Sequence, residues 1–382
     1  MGGGTPSTSN EEYWGGDIPW LSPADLTGYQ SVYISHGEKF ITPEGVKKSS
    51  TQRLPAGSVL FSSRAPIGYI AIAQNEIYTN QGFKSLVCKS EVINNLYLYY
   101  YLKLNLNYIK NFASGATFPE LSANRIKNIK ITFCKSLHEQ QKIASLLSAY
   151  DSQIENNQKR IKLLEQMAES LYKEWFVRFR FPGYETAEFE DGLPKGWRCG
   201  KLKNIAQDSG KSEKKDNRDK YPAYVPIDCI GSHSMVLGSM DSIENAESSL
   251  VSFKKTDILF GAMRPYFHKV IMAPFSGLTR STCFVISPKN ESYRYFLYLL
   301  LFQKSSIDYA TTICVGSTMP YTVWKDYSRM PIVIPTEDIV IRFAKVVKPI
   351  IDSIESIYFC NNYLVKQRDL LLPRLMSGKL SI

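Results

Sequence analysis

The 382 residues contain no run approaching eighteen consecutive apolar side chains, so nothing in the sequence reads as a membrane-spanning helix. The opening MGGGTPSTSNEEYWGG lacks the basic and apolar regions of a secretory leader, and the expected location is therefore the cytoplasm. Histidine is scarce, with four residues (His36, His138, His233 and His268) and no H-x-x-x-H pair. The seven cysteines are scattered and form no C-x-x-C. An odd count without ligand spacing argues for reduced, structural thiols and against a bound metal. Signatures of catalysis are missing too. There is no G-x-x-x-x-G-K-[ST] phosphate loop, no G-x-S-x-G elbow, no dinucleotide fingerprint and no N-P-P-[FYW] stretch. A chain of this length without a catalytic constellation reads as a binder, and no catalytic residue is assigned.

What the chain does have is 44% hydrophobic and 21% charged residues, the composition of a globular protein, in a length that suits two or three domains. Its formal net charge of +10 invites a polyanionic partner.

The sequence is also duplicated. SGATFPELSANRIKNIKI from Ser114 matches VGSTMPYTVWKDYSRMPIVI from Val315, with Gly115 and Gly316 201 positions apart. GSVLFSSRAPIGYIAIA from Gly57 matches TDILFGAMRPYFHKVIMA from Thr256 at an offset of 199, and WLSPADL from Trp20 matches YVPIDCI from Tyr224 at 203. Order is kept while offsets drift by a few residues, the mark of a repeated domain. Each copy holds a tyrosine- and leucine-rich stretch, NLYLYYYLKLNLNYIKNF from Asn95 and SYRYFLYLLLFQKSSIDY from Ser292. That spacing predicts a helix burying one face against a sheet, not a base-stacking platform.

After each copy the pattern changes to a heptad. Ile143, Leu147, Tyr150, Ile154, Asn157, Ile161, Leu164, Ala168, Leu171 and Trp175 step by four and three. Phe343, Val347, Ile350, Ile354, Ile357, Asn361, Leu364, Arg368, Leu371 and Leu375 repeat the stepping. Such stripes need packing, and an antiparallel coiled coil is expected. One register sets Asn157 opposite Asn361, Ile154 opposite Leu364, Ile161 opposite Ile357 and Trp175 opposite Phe343. From Ile143 to Trp175 such a coil spans roughly 48 Å, a spacer between two globular halves. Pro349 is expected to kink the second helix near its start, and Arg368 holds a core position unless its head turns outward. The fold class is thus α+β: two similar halves of mixed β-sheet with helices, separated by two long helices pairing as an antiparallel coiled coil.

Basic residues interleaved with aromatics, amides and threonine, on predicted strands and loops, form the candidate binding set. In the first half these are Lys47, Lys48, Arg53, Arg64, Asn80, Gln81 and Lys84. In the second they are Lys254, Lys255, Arg264, His268, Lys269, Thr279 and Arg280. Arginine can donate two bonds to guanine, the amides suit adenine, and lysine suits phosphate. Arg64 and Arg264 each lie beside a proline, in RAP and RPY, where a stiffened loop presents the guanidinium with less lost entropy. The near-identical glycine segments read as architecture, and the Arg64 and Arg264 regions as the place for sequence reading.

With these residues assembled, the chain resembles the specificity (S) subunits of type I restriction-modification systems. GGTPSTSNEEYWGGDIPWLSPADL is similar to the opening of that family's first target recognition domain. HEQQKIASLLSAYDSQI and SLYKEWFVRFRFPG resemble its central conserved helix, and LLLPRLMSGKL the end of its C-terminal one. The resemblance implies target recognition domains at 1–136 and 179–336 and conserved helices at 137–178 and 337–382. It further implies a non-catalytic reader of a bipartite, asymmetric site on double-stranded DNA. The partners it implies are two methyltransferase subunits, which bind S-adenosylmethionine and methylate adenine, and motor-nuclease subunits. A freestanding repressor is the alternative. One departure stands out: the second copy begins with GLPKGWRCGKLKNIAQDSGKS, and the first lacks a counterpart of about 15 to 20 of those residues. An incomplete edge near the N-terminus of the first domain is therefore expected.

Overall fold

A computed structural model describes residues 1–64, 66–115 and 119–382, which fall into two compact units. One comprises Met1–Asn156 and Asn361–Ile382, the other Asn157–Cys360, so the division falls at the two asparagines of the heptad stripes.

The first unit holds two small sheets. In one, Trp14–Leu21 pairs antiparallel with Lys39–Ile41 and parallel with Tyr78–Thr79. In the other, Ile70–Ala73 lies between Tyr33–Ile34 and Val59–Phe61. The helix Asn95–Leu104 is capped by Asn94, whose side chain accepts from the Tyr97 amide, and packs on the second sheet. Its residues Leu96 to Leu102 are all buried, so the expected single buried face is corrected to burial around the whole helix. The cause is a second covering layer. Tyr100 donates its hydroxyl to Asp151 on the long helix Leu137–Tyr172 at 2.6 Å. A helix apolar all round is stable only when so enclosed.

The second unit repeats the plan with more strands. Ala206–Asp208, Cys283–Pro288, Ile258–Gly261 and Val270–Met272 make a four-stranded antiparallel sheet in that order. Lys211–Glu213, Leu250–Phe253 and Gly277–Arg280 make a second, and Arg198–Lys201 pairs with Pro331–Ile334. Phe296 to Phe302 of the helix Arg294–Phe302 are likewise buried throughout, with Phe296 against Tyr172 and Phe176 at ring distances of 5.8 and 4.7 Å.

Each unit also holds a stretch of both long helices. In the first, Ile143, Ala144 and Leu147 share a core with Leu375, against which Leu371 and Met376 pack. In the second, Ile161, Ala168 and Tyr172 share a core with Val347, Ile350, Ile354 and Ile357. The C-terminal helix, Glu337–Met376, runs unbroken through Pro349. Proline removes one backbone donor, and the burial of Val347, Ile350 and Ile351 around it holds the helix together. Arg368 does not turn its head to solvent as the heptad pattern allowed. It pairs with buried Asp151 at 2.5 Å and with Asp369 at 2.7 Å, because Asp151 offers it a charged acceptor inside the helix pair.

Candidate nucleic-acid interface

The two motifs that recur in both halves, the arginine loop and the glycine turn, meet in three dimensions. In the first unit Ser114 and Glu120 exchange backbone hydrogen bonds of 3.0 and 2.8 Å, closing a hairpin. The Leu121 amide then donates to Ser63 at 2.9 Å, and Arg64 bridges Glu120. In the second unit Val315 and Tyr321 exchange bonds of 2.9 and 3.0 Å, the Thr322 amide donates to Ala262 at 2.9 Å, and Met263 bridges Tyr321. The Arg264 amide also donates to Pro320. Gly115 and Gly316 open these hairpins at φ of 110° and 89°, a conformation that glycine adopts at little cost. Glycine turn and arginine loop thus form one clasp, built twice, with the glycine hairpin as its main-chain frame. Ala65 and residues 116–118, within these segments, lie outside the described residues.

In the first unit four of the candidates converge. Arg64 and Lys84 each lie 3.8 Å from the Glu120 carboxylate, and Lys84 Nζ donates to the Gln81 carbonyl at 3.1 Å. The Gln81 side chain accepts from the Thr5 hydroxyl at 2.6 Å, and Asn80 Oδ1 accepts from the Gly82 amide at 2.8 Å. Two cations share one carboxylate, which leaves the cluster net positive and Arg64 39% exposed. Lys47 and Lys48 are exposed at the end of the short helix Pro43–Lys47. Arg53 is paired with Glu76.

The second set separates. Arg264, in the left-handed region at φ 50°, directs Nη2 toward the Thr318 carbonyl at 3.5 Å, while its buried Nε has no partner. Lys254 and Arg280 are exposed. The others are used within the fold. Lys255 pairs with Glu355 at 2.7 Å, and Lys269 donates to the Ile227 carbonyl at 2.8 Å. Thr279 is fully buried. His268 stacks on His233 at 4.4 Å and lies 2.9 Å from the Phe302 carbonyl. Burial, and then the neighbouring His233, pull its pKa from 6.5 down to about 4.

Four residues that sequence reasoning passed over stand on the second clasp: Tyr266, Phe267, Met319 and Tyr321, exposed by 50, 46, 62 and 49%. Large apolar side chains left in water next to an arginine mark a contact surface. The signal was present in RPYFH, where two aromatics follow a loop proline outside any helical or strand period. On the long helices, the Trp175 and Phe343 rings lie 5.3 Å apart in the second unit. Asn157 is buried in that unit, and Asn361, buried in the first, donates to the Ile154 carbonyl at 3.4 Å. Among the described residues no three His, Cys, Asp or Glu side chains are grouped to hold a metal, and no helix is long and apolar enough to cross a membrane.

Two copies of one α+β unit, each with a basic or aromatic clasp and a share of two long helices, define a duplicated recognition protein. The chain belongs to the type I restriction modification DNA specificity domain family, whose profile matches residues 1–166 and 194–358. It is 36% identical over 400 residues to the type I restriction enzyme MjaIX specificity subunit of Methanocaldococcus jannaschii, covering all of this chain and 91% of that one. It is 23% identical over 341 residues to the HindI specificity subunit of Haemophilus influenzae, covering 72% of this chain and 74% of that one. Its fold is that of the crystal structure of a type I restriction-modification S subunit from M. genitalium, with a TM-score of 0.58, 16% identity, and 96% and 94% of the two chains covered.

Proposed function

We propose that this chain reads a bipartite DNA site, one half with each clasp, and presents that site to methyltransferase subunits. It is a non-catalytic DNA specificity subunit of a type I restriction-modification system. The observation that carries the reading of two half-sites is the duplicated clasp, a common backbone with unlike side chains. A shared frame with Arg64, Gln81 and Lys84 in one copy and Arg264, Tyr266 and Phe267 in the other suits two different short sequences approached in the same way. The exposed faces of 138–176 and 337–378 are the docking surfaces for two methyltransferase subunits, which carry S-adenosylmethionine; motor-nuclease subunits join that assembly in the cytoplasm. A freestanding repressor is not supported, because the family is that of a subunit of an enzyme complex.

Methylome sequencing of a host expressing this chain with its methyltransferase subunit tests the reading. The expected result is methylated adenine in a split, asymmetric motif that disappears when this chain is deleted. Methylation of a single contiguous motif, or methylation that persists without this chain, would overturn it.

A further inference from the structure

The two clasps share a backbone but not a chemistry, and main-chain pairing matches them residue by residue. Ser114 bridges Glu120 as Val315 bridges Tyr321, and Arg64 bridges Glu120 as Met263 bridges Tyr321. On the neighbouring strand Ser62 faces Phe83 as Gly261 faces Cys283, so the next residue, Lys84, is matched by Phe284. The three members of the first clasp's ion cluster, Arg64, Lys84 and Glu120, thus correspond to a methionine, a buried phenylalanine and a tyrosine. Neither 262–268 nor 315–323 contains a lysine or a carboxylate. The one arginine of those segments, Arg264, directs Nη2 to the Thr318 carbonyl at 3.5 Å.

What the second clasp turns outward is mainly apolar: Tyr266, Phe267, Met319 and Tyr321 are exposed. The backbone beneath the aromatic pair is firmly held. Tyr266 and Phe267 stand on the turn Pro265–Phe267 with their rings 4.9 Å apart. The residues on either side, Arg264 and His268, are both left-handed at φ 50°, a conformation that persists only where the surroundings impose it. Here the Ser232 hydroxyl donates to the Phe267 carbonyl, the His233 amide donates to the His268 carbonyl at 2.8 Å, and the His268 ring lies against Phe302. Side chains presented from so fixed a turn lose less freedom when a partner covers them.

We infer that the second clasp reads its half-site through the 5-methyl groups of thymine, with Phe267 and Met319 as the principal contacts. The inference rests on the reading of two half-sites given above and adds the chemistry of one of them. In the major groove a base-pair edge carries donors, acceptors and a single apolar group, the thymine methyl. A clasp whose ion cluster has given way to aromatic and thioether groups complements that group best. It gains by removing the methyl from water, and it cannot replace the water bonds that a guanine or cytosine edge would lose. The hydroxyls of Tyr266 and Tyr321 remain to hold phosphate or a neighbouring base edge. The first clasp, with Arg64, Gln81 and Lys84, reads by hydrogen bonds and charge instead.

The test uses the complex of this chain with its methyltransferase subunit, and duplexes carrying the motif that methylome sequencing defines. Deoxyuridine replaces thymidine in one half-site at a time, which removes the methyl and keeps the base pair. In one half-site the exchange should weaken binding about fourfold for each methyl contacted. The double variant F267A M319A, altered only at exposed positions, should erase that penalty and leave the response to uracil in the other half-site as it was. Equal affinity for thymine and uracil duplexes, in a complex that still prefers the motif to a scrambled duplex, would overturn the inference and assign the aromatics to a protein contact. So would a uracil penalty that survives the double variant. A complex with no preference for the motif would overturn the two-half-site reading, and this inference with it.

Discussion

Replacing Asp151 with alanine should destabilise the first unit by about 3–4 kcal/mol. The Asp151 side chain is 8% exposed and accepts from the Arg368 guanidinium at 2.5 Å and the Tyr100 hydroxyl at 2.6 Å. Removing one partner from a buried ion pair costs about 3–5 kcal/mol, because the other charge stays behind without compensation. Arg368 is 19% exposed and keeps Asp369, which pulls the figure toward the lower end of that range. The orphaned Tyr100 hydroxyl adds about 1–3 kcal/mol in the other direction. Replacing both charges with apolar residues of similar size, as D151L with R368M, removes the stranded charge and should lie within about 2 kcal/mol of the wild type. The double-mutant cycle should therefore show coupling of about 2 kcal/mol or more. The assay is urea unfolding read by amide exchange at 96–102 and 143–147, which reports on the first unit separately from the second. Independent, additive losses in the cycle, or a D151A loss below about 1 kcal/mol, would refute the reasoning.

W175A should cost the second unit about 3–5 kcal/mol, since it empties a buried site beside Phe343; an unchanged urea midpoint would contradict this. His268, held near 4, is neutral in the fold. Its contribution is fully present above 6.5 and is lost as pH falls from there toward 4, so the stability difference between wild type and H268Q should shrink across that window. His233, Lys304 and Asp308 also act on this imidazole, and the wild-type-minus-variant difference separates its titration from theirs; a difference flat with pH would sink the prediction. R64A and R264A should each relax the methylated sequence of one half-site, by about 1–3 kcal/mol of discrimination, and leave the other unchanged. F267A, at an exposed position, should leave the unfolding midpoint within about 0.5 kcal/mol of wild type but weaken DNA binding, as measured by fluorescence anisotropy.

The parts of this structure legible in the sequence are those set by local period or by repetition. The tyrosine stretch announced a buried helix, and the heptads announced two long helices, because both signals lie within a few turns of chain. Pairing between distant residues gave no such signal. Nothing near Lys255 names Glu355 as its partner, and nothing near Thr279 distinguishes a buried threonine from one facing a groove, since both outcomes follow from tertiary packing. Arg368 carries the same lesson. Heptad phase placed it in the core, but only the position of Asp151, 217 residues earlier, decides that it stays there. The exposure of Tyr266, Phe267, Met319 and Tyr321 is likewise a tertiary outcome, since a loop aromatic has no period that tells a buried ring from an exposed one.

The two clasps show how duplication divides labour between backbone and side chain. The hydrogen bonds from 114 to 120, from 315 to 321, and from the following amide to the arginine loop repeat within 0.2 Å, so the frame is fixed by main-chain groups that any sequence supplies. What differs is the residue at the end of each hairpin. Glu120 gathers Arg64 and Lys84 into an ion cluster, whereas Tyr321 leaves Arg264 beside exposed aromatics. Glu120 also holds Arg64 in a partly exposed pair of modest strength, a guanidinium that stays ordered yet is cheap to redirect. Arg264 is held instead by its left-handed backbone and the Pro320 contact, so its direction is set before any partner arrives. A backbone held constant while its side chains change is what a recognition unit needs to acquire a new target without relearning how to fold.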